Sequence, residues 1–260
     1  MNAAADRGLV LHVLPWRETS LIVEVLTREH GRLGMIAKGA RRPRSALRGL
    51  LQPFQLLDLR WSGKSELRTL MAAEWVGGLA MLSGSAIMPG FYLNELMVRL
   101  LPREDPHPVV FDDVLATLGL LARQEAEGRG REMTEPILRR FECNLLRELG
   151  VAPNFDRETA SGAPVAEADF YQVSPQSGVI RLGPRAMESA QGSSQAVDLI
   201  HGRTLLALAR SQQSIEQAVH AFEDPEIAAE SKRLLRALLG QHLGEDELHS
   251  RQVMRDLVRI

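Results

Sequence analysis

The sequence predicts a mixed β and α protein of two domains. A small closed barrel such as an OB-fold is expected over residues 1–80, followed by an all-helical domain over 81–260 with a small irregular hairpin insertion at 150–195. Three observations predict it. Short β-branched runs recur through the first 80 residues. Near residue 80 the apolar spacing changes to three and four. Between 150 and 195, Gly, Pro and Ser interrupt both patterns.

The strands come in order. GLVLHVL (8–14) and SLIVEVL (20–26) are the first two, and a turn at His30-Gly31 leads into RLGMIAKG (32–39). FQLLDLRW (54–61) places Leu57, Leu59 and Trp61 on one face and Asp58 and Arg60 on the other. Ser62-Gly63-Lys64 signals a tight turn, and ELRTLMAAEWV (66–76) returns antiparallel. Five such strands in about 75 residues suit a small closed barrel. An SH3-like barrel has the same periodicity, so spacing alone leaves the barrel type open.

The helices follow. Pro89 fits a first helical turn ahead of Leu93, Leu96, Met97, Leu100 and Leu101, and Pro102 stops it. Residues 109–125 carry Val110, Phe111, Val114, Leu118 and Leu121 at helical spacing. Thr134 is the expected cap of a helix with Pro136 near its start and Gly150 at its end. FYQV (170–173) and GVIRL (178–182) form the expected hairpin. Further helical stretches fall at 196–210, 225–240 and 245–259.

Several functions are excluded by missing chemistry. There is no apolar run of membrane-spanning length, and the N-terminus does not read as a secretory signal. The single cysteine, Cys143, permits no internal disulfide and fits a reducing cytoplasm. It lies in an apolar helix without a neighbouring His, so it reads as a structural thiol. Gly63-Lys64-Ser65 resembles the end of a phosphate loop, but Asp58 stands where that loop needs glycine. No GxSxG or HxxxH occurs, and adjacent Asp112 and Asp113 cannot act as a facing pair. No metal, cofactor or enzymatic activity is expected.

The net charge of -2 hides an asymmetry. Residues 1–80 carry 12 Lys and Arg against 7 Asp and Glu, and the remainder carries 19 against 26. Chance variation in surface charge explains this as well as an anion-binding front does. The stretch from Arg28 to Arg48 is more specific: it holds Arg28, Arg32, Lys38, Arg41, Arg42, Arg44 and Arg48 against the single acid Glu29. Gly39 and Pro43 make its second half a loop, and a loop cannot bury such charge. Cations spread along a groove bind phosphates and release counterions, and the arginine fork suits phosphate. A solvated basic loop is the plain alternative. Among the few aromatics, Trp16 beside Arg17 is the best candidate for base stacking, whereas Trp61 and Trp75 read as core.

At these residues the sequence resembles the RecO family. The pattern runs through PWRETSLIVEVLTREHGRLGMIAKGARRPRSALRGLLQPF (15–54), FYLNELMVRLL (91–101) and ILRRFECNLLRELGVAPNF (137–155). It covers residues 8–155 well and the remainder weakly. The resemblance implies an N-terminal OB-fold and a helical C-terminal domain in a cytoplasmic, nucleoid-associated protein. It implies binding of single- and double-stranded DNA, strand annealing, and loading of recombinase with RecR onto DNA coated by single-stranded-DNA-binding protein. Participation of RecF is left open. The family also recognises the C-terminal tail of the coating protein, and Arg139, Arg140, Phe141, Leu145 and Tyr92 are the residues carried over for it. An intrahelical pair of Arg139 with Glu135 or Glu142 is the plain alternative. Many relatives carry four zinc-binding cysteines after Asn154-Phe155, whereas residues 156–184 here contain none. A zinc-less variant is expected, its hairpin held by packing. Two other functions compatible with the residues are an RNA-binding barrel and a protein scaffold.

Overall fold

Alternating apolar residues in the first 75 positions form five strands: β1 (Ala4–Trp16), β2 (Ser20–Thr27), β3 (Gly31–Ala37), β4 (Leu56–Ser62) and β5 (Leu67–Trp75). The computed structural model describes residues 3–183, 199–243, 248–250 and 252–253. The strands close a barrel in the order β1-β2-β3-β5-β4, with β4 returning to β1. The β3–β5 contact is parallel and the other pairings are antiparallel. That Greek-key closure is the OB-fold arrangement, and it resolves the ambiguity that periodicity left. Val10, Val23, Val25, Leu33, Met35, Leu57, Leu59 and Trp61 fill the interior. Asp58 and Arg60 point outward as their alternation predicts.

Trp75 departs from its expected core position and is 66% exposed. It ends β5 opposite Leu57, where the strand leaves the barrel, and its ring lies beside Gly77. Gly63-Lys64-Ser65 joins β4 to β5, with Arg68 donating to the Gly63 carbonyl. It is a hairpin turn and cradles no phosphate at a helix start.

The chain divides into two compact units, Met1–Arg131 with Asp246–Ile260, and Glu132–Glu245. The first unit adds to the barrel a single turn α1 (Leu47–Leu50) and helices α2 (Ile87–Leu100) and α3 (Pro108–Ala126). Helix α2 packs on β1. The register of β1 shifts at Leu11, and buried Asn94 of α2 donates to the Leu11 carbonyl at 2.8 Å. The bulge would otherwise leave that acceptor without a ladder partner.

The α2–α3 connection lies along the end of β3. Glu24 on β2 accepts from Arg32 at 3.1 Å and from Arg103, and Arg32 also donates to the Leu101 carbonyl at 3.0 Å. Arg68 reaches Glu104 at 2.7 Å. Gly31 has φ +71, and a Cβ there would lie 2.2 Å from the Asp105 carbonyl oxygen. Only glycine meets both demands.

Helix α4 (Gly130–Glu148) starts before the expected cap at Thr134, so Pro136 lies inside it, within the first two turns. Gly150, at φ +70, ends it with the Val151 amide donating to the Leu146 carbonyl. The second unit continues with β6 (Phe170–Ser174), β7 (Gly178–Arg181) and β8 (Leu199–His201), paired in the order β7-β6-β8. Helices α5 (Gly202–Ser211), α6 (Ile215–Ala221) and α7 (Pro225–Leu243) follow. The expected helix at 196 therefore begins at Gly202, because 199–201 extend the hairpin. Buried Glu230 of α7 fixes that start, accepting from the His201 amide and the Thr204 hydroxyl. Residues 184–195 of the expected insertion, 196–198 of the expected helix that follows it and most of the expected helix at 245–259 lie outside the described residues.

Burial pushes the Glu95 carboxyl up, but hydrogen bonds from Ser250 and His249 outweigh it and hold its pKa below the ordinary 4.5. The stability it contributes is complete above about pH 4.5 and is lost as pH falls through the depressed value. The difference in melting temperature between wild type and Glu95→Gln is expected to be present at pH 6 and to shrink in acid. Asn94→Leu strands the Leu11 carbonyl, and urea unfolding should register a loss of about 1–3 kcal/mol.

Candidate nucleic-acid interface

The outer face of β1, β2 and β3 divides into two halves. One half carries Glu24 and Arg32 and is occupied by the chain's own Arg103. The other half is open. Leu14, Ile22, Ile36 and Thr69 form one row across four strands, each paired with the next. Their neighbours Val13, Leu21 and Ala37 pack with the barrel core, so this row faces outward. Trp16 pairs with Ser20 one rung further on. Leu14 is 48% exposed and Trp16 38%. Met71, two residues past Thr69 on β5, is 61% exposed.

The basic loop borders this open half. Gly39, at φ +72, turns the chain out of β3. The Arg41 amide donates to the Thr19 carbonyl at 2.9 Å, and its guanidinium donates to the Arg17 carbonyl at 3.1 Å. These bonds fix the loop to the β1–β2 turn. Ala40 and Leu51 are buried and anchor its two ends in the core.

The seven cations separate into two groups. Arg28 pairs with Glu29 and Asp112, whose hydrogen bonds raise its pKa further. Asp112 in turn is held below the usual carboxylate range by Arg28. Arg32 is committed to Glu24. Both residues serve the attachment of the helices and present little free charge to a ligand. Lys38, Arg41, Arg42, Arg44 and Arg48 are exposed. Among the described residues none of these five has a carboxylate partner.

The five residues carried over for tail recognition are placed differently. Tyr92 is buried in the first unit, and the other four belong to the second. Phe141 and Leu145 are fully buried, and Arg140 is half-buried. Arg139 is 8% exposed and pairs with Glu142 at 2.8 Å, so the intrahelical alternative is realised. Phe141, Leu145 and Arg139 thus lie on the buried face of α4. Burial pushes the Cys143 thiol up to about 12, with the Glu142 charge adding to it.

The family model described as Recombination protein O N terminal matches residues 1–79, and that described as Recombination protein O C terminal matches residues 82–252. The chain belongs to the RecO family. The DNA repair protein RecO of Azoarcus sp. is 44% identical over 254 residues, covering 96% of this chain and 95% of that protein. That of Polynucleobacter asymbioticus is 45% identical over 262 residues, covering 100% and 99%. That of Burkholderia pseudomallei is 45% identical over 254 residues, covering 98% and 84%.

In this member of the RecO family the residues after Phe155 do not suit a thiolate zinc site, since 156–184 offer neither Cys nor His. Apolar packing takes that position: Phe155, Val165, Tyr171, Val173 and Val179 are buried. Thr159 clasps β7, its amide donating to the Val179 carbonyl and its hydroxyl accepting from the Val179 amide at 2.8 Å. No helix is long and apolar enough to cross a membrane among the described residues.

Sequence reasoning missed the open apolar row and Arg17. The signal was Ile22 in SLIVEVL, an apolar residue at a position that alternation puts on the outer face. From its pKa and burial, Cys143 is expected to resist a thiol reagent in the native protein and to react on unfolding in guanidinium.

Proposed function

We propose that this chain is a DNA-binding recombination mediator. Its cationic barrel edge holds the phosphates of two strands at once, so that complementary bases find each other. The single observation that carries the proposal is the set of Lys38, Arg41, Arg42, Arg44 and Arg48, exposed on one anchored loop without carboxylate partners among the described residues. Neutralising phosphates lowers strand repulsion, and co-binding raises the local concentration of each strand. On this reading no bond is broken and no nucleotide is hydrolysed.

The reading extends to recombinase loading together with RecR on DNA coated by single-stranded-DNA-binding protein. Family membership supports these partners. It alone supports recognition of the coating protein's acidic tail, because Phe141 and Leu145 lie beneath the surface of α4.

Changing Arg41, Arg42 and Arg44 together to Glu is expected to abolish annealing of complementary oligonucleotides in a fluorescence assay while leaving the circular dichroism unchanged. With about four phosphate contacts on a single strand, log K should fall with log salt at a slope near -3 in the wild type and more gently in the variant. Undiminished annealing by a folded variant removes the proposal. A strong preference for RNA over a matched DNA oligonucleotide would replace it with an RNA-binding role.

A further inference from the structure

The β1–β2 turn holds a cation against an aromatic ring at the edge of the open face. Arg17 has φ +53, a left-handed conformation unusual for a residue with a Cβ. Its guanidinium carbon lies 5.8 Å from the centre of the Trp16 ring. The Arg17 carbonyl accepts from Arg41, and the Thr19 carbonyl accepts from the Arg41 amide. The phosphate-facing loop thus sets the backbone that carries Arg17. Beyond Trp16, the row Leu14–Ile22–Ile36 continues an apolar surface.

We propose that Trp16 and Arg17 form a seat for one unpaired base, so that the open face separates single-stranded from duplex DNA. The proposal rests on the DNA-binding reading of the same face. A base between the ring and the guanidinium needs about 6.8 Å, two stacking intervals of ~3.4 Å. The present gap is about 1 Å short of that, which a small swing of the exposed Arg17 side chain supplies. Both partners suit a base: indole stacks on its face, and a guanidinium plane stacks on the opposite face. The next base along the strand would meet Leu14 and Ile22. A duplex hides its base faces inside its own stack, so it would engage the five loop cations and leave the seat empty. Arg17 therefore joins the interface as a specificity-determining residue, distinct from the loop cations that serve either ligand.

The test uses the full chain, a labelled oligo(dT) and a hairpin duplex of equal phosphate number, at one salt concentration. Trp16→Ala is expected to weaken oligo(dT) binding about tenfold and to leave duplex binding within about twofold, with both salt slopes kept. Trp16→Phe should retain most of the affinity. Arg17→Ala should show a smaller loss confined to oligo(dT). In a Trp75→Phe background, where Trp16 is the remaining exposed indole, oligo(dT) should quench emission and the duplex should not. That arm needs no change at Trp16 and stands even if Trp16→Ala fails to fold. Equal losses on both ligands, an unchanged oligo(dT) affinity, or equal quenching by the two would overturn the seat and leave the phosphate reading intact. Absence of binding to either ligand by the wild type at low salt would remove both.

Discussion

The Glu24 carboxylate stands between two guanidinium groups on the outside of the barrel, and the first unit is organised around that meeting. Arg32 comes from the adjacent strand and Arg103 from the connection between α2 and α3. A half-buried carboxylate needs compensation, and two cations with further backbone bonds provide it. The result is that residues 101–105 are laid along β3, with Arg68–Glu104 and Arg28–Asp112 extending the contact. Half of the outer face is closed by the chain itself, and the other half, with its apolar row, is left to solvent. The position of the open face is therefore a consequence of where the helices attach.

This division separates cations that look alike in the sequence. In the sequence, Arg28 and Arg32 look the same as Arg41 or Arg44, because their partners Asp112 and Glu24 are 84 and 8 residues away. Pairing across such separations leaves no local signature. The loop cations were legible for the opposite reason. Gly39 and Pro43 announce irregular backbone, and nothing acidic lies close by to neutralise the cluster.

The elements themselves were largely written in the periodicities. Leu57, Leu59 and Trp61 alternate into the core as read, and Gly150 closes α4 as read. The OB-fold closure rests on the parallel pairing of β3 with β5, a non-local contact that spacing alone did not distinguish from other barrels. Trp75 was misplaced because a large aromatic at the end of a strand carries the same pattern whether the barrel covers it or not. The α4 residues show the limit of carrying roles over from a resemblance. Phe141 and Leu145 fit an apolar pocket by type, yet a helix stripe of that kind is also what a core requires, and here the core holds them.

The Thr159 clasp on β7 bears on where such a protein can work. This chain holds the segment after Phe155 with a hydroxyl, an amide and packed aliphatic and aromatic side chains. None of those groups lies on the oxidation ladder of sulfur. Peroxide therefore finds no sulfur to oxidise in this hairpin.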